Sequence, residues 1–273
     1  MKTKLTVLIS ILLLLITNCT KIEITEDDAF DAHRTITPAT FNIPTFDMEE
    51  IRLETSDGET LDAWFLSRED AVATVVYFGG NGALMVKSRP LIQAYTSVPV
   101  NLLLFDYRGY GLSTGEPTVM GIYEDARTAF NYAQNDAPVQ TDKIYVHGHS
   151  MGSFLSAMIA DENRVDGYVL ESPVTEVSQW TKRMVPWLLR LFVRFNIDDD
   201  VKAQNNSERV SRIQTPLLII GGTGDDVTPI RMAEELYDQS ASEQKRLVRI
   251  SGGSHNNLPN SSAYREALIQ FIQ

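Results

Sequence analysis

Eight apolar, β-rich runs mark the chain from residue 49 onward. The first two, "EIRLET" and "TLDAWFL", flank "SDGE" and alternate in polarity, which predicts two strands joined by an Asp-Gly turn. The other six are "ATVVYFG", "PVNLLLF", "KIYVHG", "GYVLE", "PLLIIG" and "KRLVRI", and their apolar character is continuous rather than alternating. Strands of that kind are buried on both faces, and helix-length segments separate most of them. The pattern predicts an α/β class: a mostly parallel, eight-stranded sheet covered by helices. No internal repeat or low-complexity tract interrupts it.

The N-terminus follows a different pattern. Lys2 and Lys4 precede an uncharged apolar run from Leu5 to Ile16, followed by "TNCTK". The run is shorter than the roughly 20 apolar residues that span a bilayer, and its basic start and polar end describe a secretory signal peptide. From Thr20 to Pro44 there are scattered acids, Pro38 and Pro44, and no sustained apolar period, which predicts a tether. The expected division is therefore a signal peptide over 1–18, an acidic tether over 19–45 and one folded domain over 46–273. Cys19 is the only cysteine, so no intramolecular disulfide can form.

Composition narrows the function classes. The 273 residues are 43% hydrophobic and 22% charged, ordinary for a globular chain, with a formal charge of −12. A deficit of basic residues argues against a nucleic-acid partner, which requires a concentrated Lys/Arg surface.

The candidate chemistry lies in "KIYVHGHSMGS", where a buried strand runs into "GHSMG" and then into the helically spaced "SFLSAMIA". Strand, G-x-S-x-G and helix together form a nucleophile elbow, with Ser150 on a strained turn that only Gly148 and Gly152 permit. A serine hydroxyl needs a base. Of the four histidines, His33 falls in the expected tether, and His147 and His149 are too near Ser150 along the elbow to turn onto its hydroxyl. His255, in "RISGGSHNNL" after the last apolar run, remains. The base needs an acid that precedes it in the chain, and "PLLIIGGTGDDVTP" offers Asp225 and Asp226 after a buried strand. In "DYRGYG", an Arg–Asp interaction involving Asp106 and Arg108 is expected to brace neighbouring loops rather than to catalyse.

From about Phe41 onward the chain resembles the α/β-hydrolases through "DGETLDAWFL", "FGGNG", "FDYRGYGLSTGEP", "GHSMG", "ESPVT", "GTGDDVTP" and "GGSHNNL". It is especially similar to a small-lidded branch of protein depalmitoylases, monoacylglycerol lipases and serine-peptidase-like relatives. The resemblance implies a Ser150, Asp225, His255 triad, selecting Asp225 over Asp226 and over Glu171 at the end of "GYVLE". It also implies an oxyanion hole made by the backbone N–H groups of Met151 and Asn81. In relatives the loop carrying the second donor reads His-Gly-Asn; here Gly79 replaces the histidine, removing a side chain that braces it. No metal or organic cofactor is expected. The implied activity is hydrolysis of carboxylic esters or thioesters of acyl chains, with an amide-cleaving peptidase and a non-catalytic binding protein as alternatives.

Between "ESPVT" and "PLLII" lies an insertion, 176–214, containing "WTKRMVPWLLRLFVRF". Its spacing predicts a helix packed on the sheet or a lid, with Trp187, Leu188 and Phe192 as candidates to meet an acyl chain. The loop "NIDDDVKAQNNSERV" after it is expected to be solvated. "LITNCT" resembles a bacterial lipoprotein signal, which implies lipidation of Cys19 and export to a membrane surface outside the cytoplasm.

Overall fold

The computed structural model describes residues 20–34, 43–183 and 193–272. Among them are ten strands: β1 (Thr20–Ile24), β2 (Asp47–Glu54), β3 (Thr60–Ser67), β4 (Ala73–Phe78), β5 (Val100–Phe105), β6 (Ile144–His149), β7 (Gly167–Glu171), β8 (Val193–Ile197), β9 (Leu217–Gly222) and β10 (Lys245–Ile250). Eight of these form the main sheet, in the order β10-β9-β7-β6-β4-β5-β3-β2. Only the pairings of β3 with β2 and with β5 are antiparallel. All the others are parallel.

Five of the six continuous apolar runs become strands buried on both faces; the sixth, "KRLVRI", is corrected, since it forms the edge strand β10, where only Ile250 is buried. Along β5, Leu102 and Leu104 enter one core layer while Leu103 and Phe105 enter the other. The same alternation divides Leu218 and Ile220 from Leu217 and Ile219 along β9. One layer is closed by the helices Val119–Asn135 and Gly152–Glu162, through residues such as Phe130, Leu155 and Met158. The other is closed by Arg89–Tyr95 and Ser262–Phe271, through Tyr95, Tyr264 and Leu268. Burying one such large side chain stabilises the fold by about 1.5–3 kcal/mol.

The Arg108 brace exists, with different partners from the one expected. Its guanidinium bonds Asp125 Oδ1 at 2.8 Å and Asp57 Oδ2 at 2.7 Å, tying the segment after β5 to the helix Val119–Asn135 and to the β2–β3 turn. Asp106 instead accepts the Met85 N–H at 2.7 Å, and burial raises its pKa to about 7. Arg108 and Asp106 both follow β5, and their side chains serve different neighbours.

The expected tether is corrected over residues 20–34. β1 pairs in parallel with β8, from Thr20 against Val193 to Ile24 against Ile197. A short helix, Glu26–Ala29, follows, capped reciprocally by Thr25 and Asp28. The segment carries no buried apolar stripe, and its order comes from backbone pairing and capping. The insertion is corrected as well. Its helix covers Val177–Arg183, but residues 193–197 form β8, because their backbone is recruited by β1. The expected solvated loop contains the helices Asp199–Lys202 and Asn206–Val210. Asn206 is fully buried there, donating to Ser153 Oγ and to the Val174 carbonyl, each at 2.9 Å. Cys19, Trp187, Leu188 and Phe192 lie outside the described residues.

Candidate active site

The turn after β6 is as tight as its glycines imply. A Cβ on Gly148 would stand 2.0 Å from the Gly152 carbonyl oxygen, and one on Gly152 would stand 2.1 Å from that of Phe78. Ser150 between them has φ +53°, left-handed backbone that residues with side chains seldom adopt. Its N–H donates to the Glu171 carbonyl at 2.9 Å, fastening the turn to the end of β7. The helix Gly152–Glu162 then begins, so Ser150 stands at the positive end of its dipole.

The loops after β9 and β10 bring Asp225 and His255 to this turn. His255 Nε2 lies 3.0 Å from Ser150 Oγ, and His255 Nδ1 lies 2.9 Å from Asp225 Oδ2. Asp225 is held in turn: Oδ1 accepts the N–H groups of Val227 and Thr228 at 2.9 and 2.8 Å, and Oδ2 lies 2.9 Å from the Thr228 hydroxyl. Burial opposes its charge, but the bond from His255 and those from Thr228 outweigh it and lower its pKa to about 2. Asp226 is exposed. A carboxylate so held fixes the imidazole tautomer, leaving Nε2 free to take a proton from the serine.

The remaining histidines occupy other places. His33 is exposed beside Asp31. His147 is fully buried, with Nδ1 2.8 Å from the Tyr95 hydroxyl and Nε2 3.1 Å from Glu171 Oε2. Glu171 also accepts from Tyr264 at 2.8 Å. Burial again opposes its charge, and the bond from His147 leads the contributions that lower its pKa. Its carboxylate is therefore committed away from His255. His149 has a part that its proximity to Ser150 concealed: its Nε2–H donates to the His255 carbonyl at 2.9 Å, tying the base's loop to the elbow. Burial lowers the pKa of His149, keeping it neutral.

Asn81 and Met151 both line the cavity beside Ser150, and among the described residues neither of their backbone N–H groups donates to another backbone group outside a helix or strand. The bracing removed with the histidine at position 79 is supplied differently. The Tyr107 hydroxyl donates to the Gly79 carbonyl at 2.9 Å. The Asn81 side chain accepts from the Asp31 N–H and the Tyr110 hydroxyl, each at 2.8 Å, and donates to the Ala29 carbonyl at 2.9 Å. The cavity measures about 920 Å³ and is walled by residues from the insertion, including Val177 and Trp180, and from 22–30. The wall from 22–30 was missed in the sequence; its one signal was the capping pattern "TEDD".

Fold and site together define an α/β-hydrolase. The chain belongs to the family described as Serine aminopeptidase, S33, which matches residues 69–211 and 200–261. It is 33% identical over 245 residues to the uncharacterized protein YfhR of Salmonella typhi, covering 82% of this chain and 81% of that protein. Protein bem46 of Schizosaccharomyces pombe is 25% identical, over 86% of this chain and 79% of its own. Among solved structures, the Pyrococcus furiosus esterase Pf2001 superposes with a TM-score of 0.71 at 20% identity, covering 89% of this chain and 98% of the esterase.

The lowered pKa of Asp225 sets a pH dependence. Its folded pKa, about 2, lies below the ordinary 3.8, so its charge stabilises the fold fully above the unfolded value and ceases to do so as pH falls through about 2. The stability difference between the wild type and Asp225→Asn, from urea unfolding, is expected to be constant above about pH 5 and to shrink from about pH 4 downward. A difference that is flat down to pH 2 contradicts this.

Proposed function

We propose that the chain is a serine hydrolase that cleaves carboxylic esters or thioesters through an acyl-enzyme. The observation that carries this is the unbroken path Ser150 Oγ, His255, Asp225, with steps of 3.0 and 2.9 Å, opening into a cavity of about 920 Å³. Ser150 Oγ attacks the carbonyl carbon while His255 Nε2 takes its proton, and Asp225 stabilises the imidazolium. The Asn81 and Met151 N–H groups hold the oxyanion. Collapse expels the leaving group, which takes the proton from His255. Water then attacks the acyl-enzyme with His255 again as base, releasing the acid and restoring Ser150.

A fluorophosphonate probe is expected to label the intact protein, with no label on Ser150→Ala, and ester turnover by that variant is expected to fall at least about 10,000-fold. An intact protein that stays unlabelled overturns the proposal. The family description favours a second reading, cleavage of aminoacyl amides. Comparing kcat/KM on aminoacyl amides with that on acyl esters separates the two.

The Asn81 side chain acts by holding its own backbone donor in place. Asn81→Ala keeps the N–H but loses three side-chain bonds. A fall in kcat of about 10- to 100-fold is expected, since small displacements of a catalytic group cost rates of that order. Wild-type turnover in this variant contradicts the bracing role.

We further propose that the protein is exported and lipidated at Cys19. The N-terminal peptide of detergent-extracted protein is expected to begin at an acylated Cys19; an unmodified cysteine, or retained residues before it, refutes the anchor.

A further inference from the structure

Residues 20–34 lie far in sequence from every catalytic position, yet they are fastened across the cavity at points on three sides. On the insertion side, β1 pairs with β8, the Asp198 N–H donates to the Ile24 carbonyl at 3.0 Å, and the Glu26 N–H donates to Asp198 Oδ2 at 3.1 Å. On the side of the oxyanion loop, the Asn81 side chain holds both the Ala29 carbonyl and the Asp31 N–H. On the third side, Glu26 Oε1 accepts the Val119 N–H at 2.9 Å, and the His33 carbonyl accepts the Gly111 N–H at 2.9 Å. Between these fastenings Ile22, Ile24 and Phe30 line the same cavity as Ser150. Phe30 also packs on the core layer that contains Phe78 and Leu155.

From this arrangement we propose that residues 20–34 are a strap forming one wall of an acyl-chain subsite, with Phe30 and Ile22 supplying apolar surface that a long aliphatic chain meets and a short one does not. The proposal rests on the hydrolase reading and adds the substrate class: esters of long, unbranched fatty acids. Two features of the cavity support it. Its volume of about 920 Å³ lies near the upper end of the range for small-molecule sites, about 300–1,000 Å³, and exceeds what a short acyl group fills. Its other walls carry apolar side chains as well, including Leu84, Val177 and Val201. An alkyl chain gains from burial against such surfaces in proportion to its length, whereas an acetyl group barely reaches them. The strap lines the cavity with Ile22, Ile24, Ala29 and Phe30 together with Glu23 and Asp28, and its three large apolar side chains are the surface an alkyl chain would meet.

The test is the hydrolysis of p-nitrophenyl acetate, octanoate and palmitate by the full-length wild type, Phe30→Ala and Ile22→Asp, with unfolding temperatures measured for each. Ile22 is 38% exposed, so Ile22→Asp is expected to fold even if Phe30→Ala compromises folding. The wild type is expected to prefer octanoate or palmitate to acetate. Each variant is expected to lose about tenfold or more of its long-chain kcat/KM relative to its acetate value, mainly through KM. General damage to the fold lowers all three substrates together and leaves that ratio alone. An active enzyme whose ratio is unchanged in both variants, or a wild type that prefers acetate, overturns the strap proposal and leaves the hydrolase reading standing. A wild type that cleaves no ester and takes no fluorophosphonate label overturns the hydrolase reading and the strap with it.

Discussion

The structure turns on a backbone approach too close for any side chain. Gly148 faces the Gly152 carbonyl and Gly152 faces that of Phe78, at distances that would put an added Cβ within 2.0 and 2.1 Å of oxygen. That contact forces the chain from β6 into the helix Gly152–Glu162 within one turn and leaves Ser150 at φ +53°. A left-handed serine costs on the order of 1–2 kcal/mol, and it persists because the surroundings determine it. β6 lies between β4 and β7 in the middle of the sheet, the helix beneath is buried, and the Ser150 N–H is held by Glu171. The hydroxyl is thereby presented at the carboxyl edge of the sheet, where the loops after β9 and β10 deliver Asp225 and His255.

Electrostatics divide the acids of this region between two tasks. Asp225 and Glu171 both follow buried strands, and both stay charged against the cost of burial. Glu171 Oε2 is taken by His147 and Tyr264, which lock it into the packing beneath the elbow. Asp225 is buried beside the cavity, outside its lining, and is taken by His255 and Thr228. The identity of the acid follows from position: both bonds to Glu171 fall on Oε2, from His147 and Tyr264, whereas Asp225 Oδ2 meets His255 Nδ1.

Six strands of the main sheet were legible because their runs were read as continuously apolar, which leaves few alternatives to a covered parallel sheet, and β2 and β3 were legible from alternation around an Asp-Gly turn. Ser150 was legible from its glycines, and His255 from the shortage of other histidines. Asp225 and Asp226 were not separable by pattern alone, since adjacent residues on a loop differ only in which way the backbone turns them. β8 was divided between the end of a helical pattern, "VRF", and a solvated loop beginning "NI", because so short a span satisfies both periods; the arbiter was pairing with β1, a partner more than 160 residues away in the chain. The strap was hidden for the same reason. Its order is supplied by backbone hydrogen bonds to distant loops, which leave little trace in hydrophobic periodicity.

That hidden segment changes the meaning of the chain's N-terminal end. As a flexible tether, residues after Cys19 would let the domain turn freely above a surface. Instead β1 begins at Thr20, immediately after the cysteine, and its next residues wall the cavity. An anchor at Cys19 would then have almost no slack, and would hold the strap side of the cavity toward the bilayer. With a formal charge of −12, the body of the protein is repelled by an anionic lipid surface, so such an anchor favours an orientation that confines contact to the rim around the strap. In that geometry an acyl ester would approach Ser150 along the strap, because the proposed wall and the proposed attachment point are consecutive stretches of one chain.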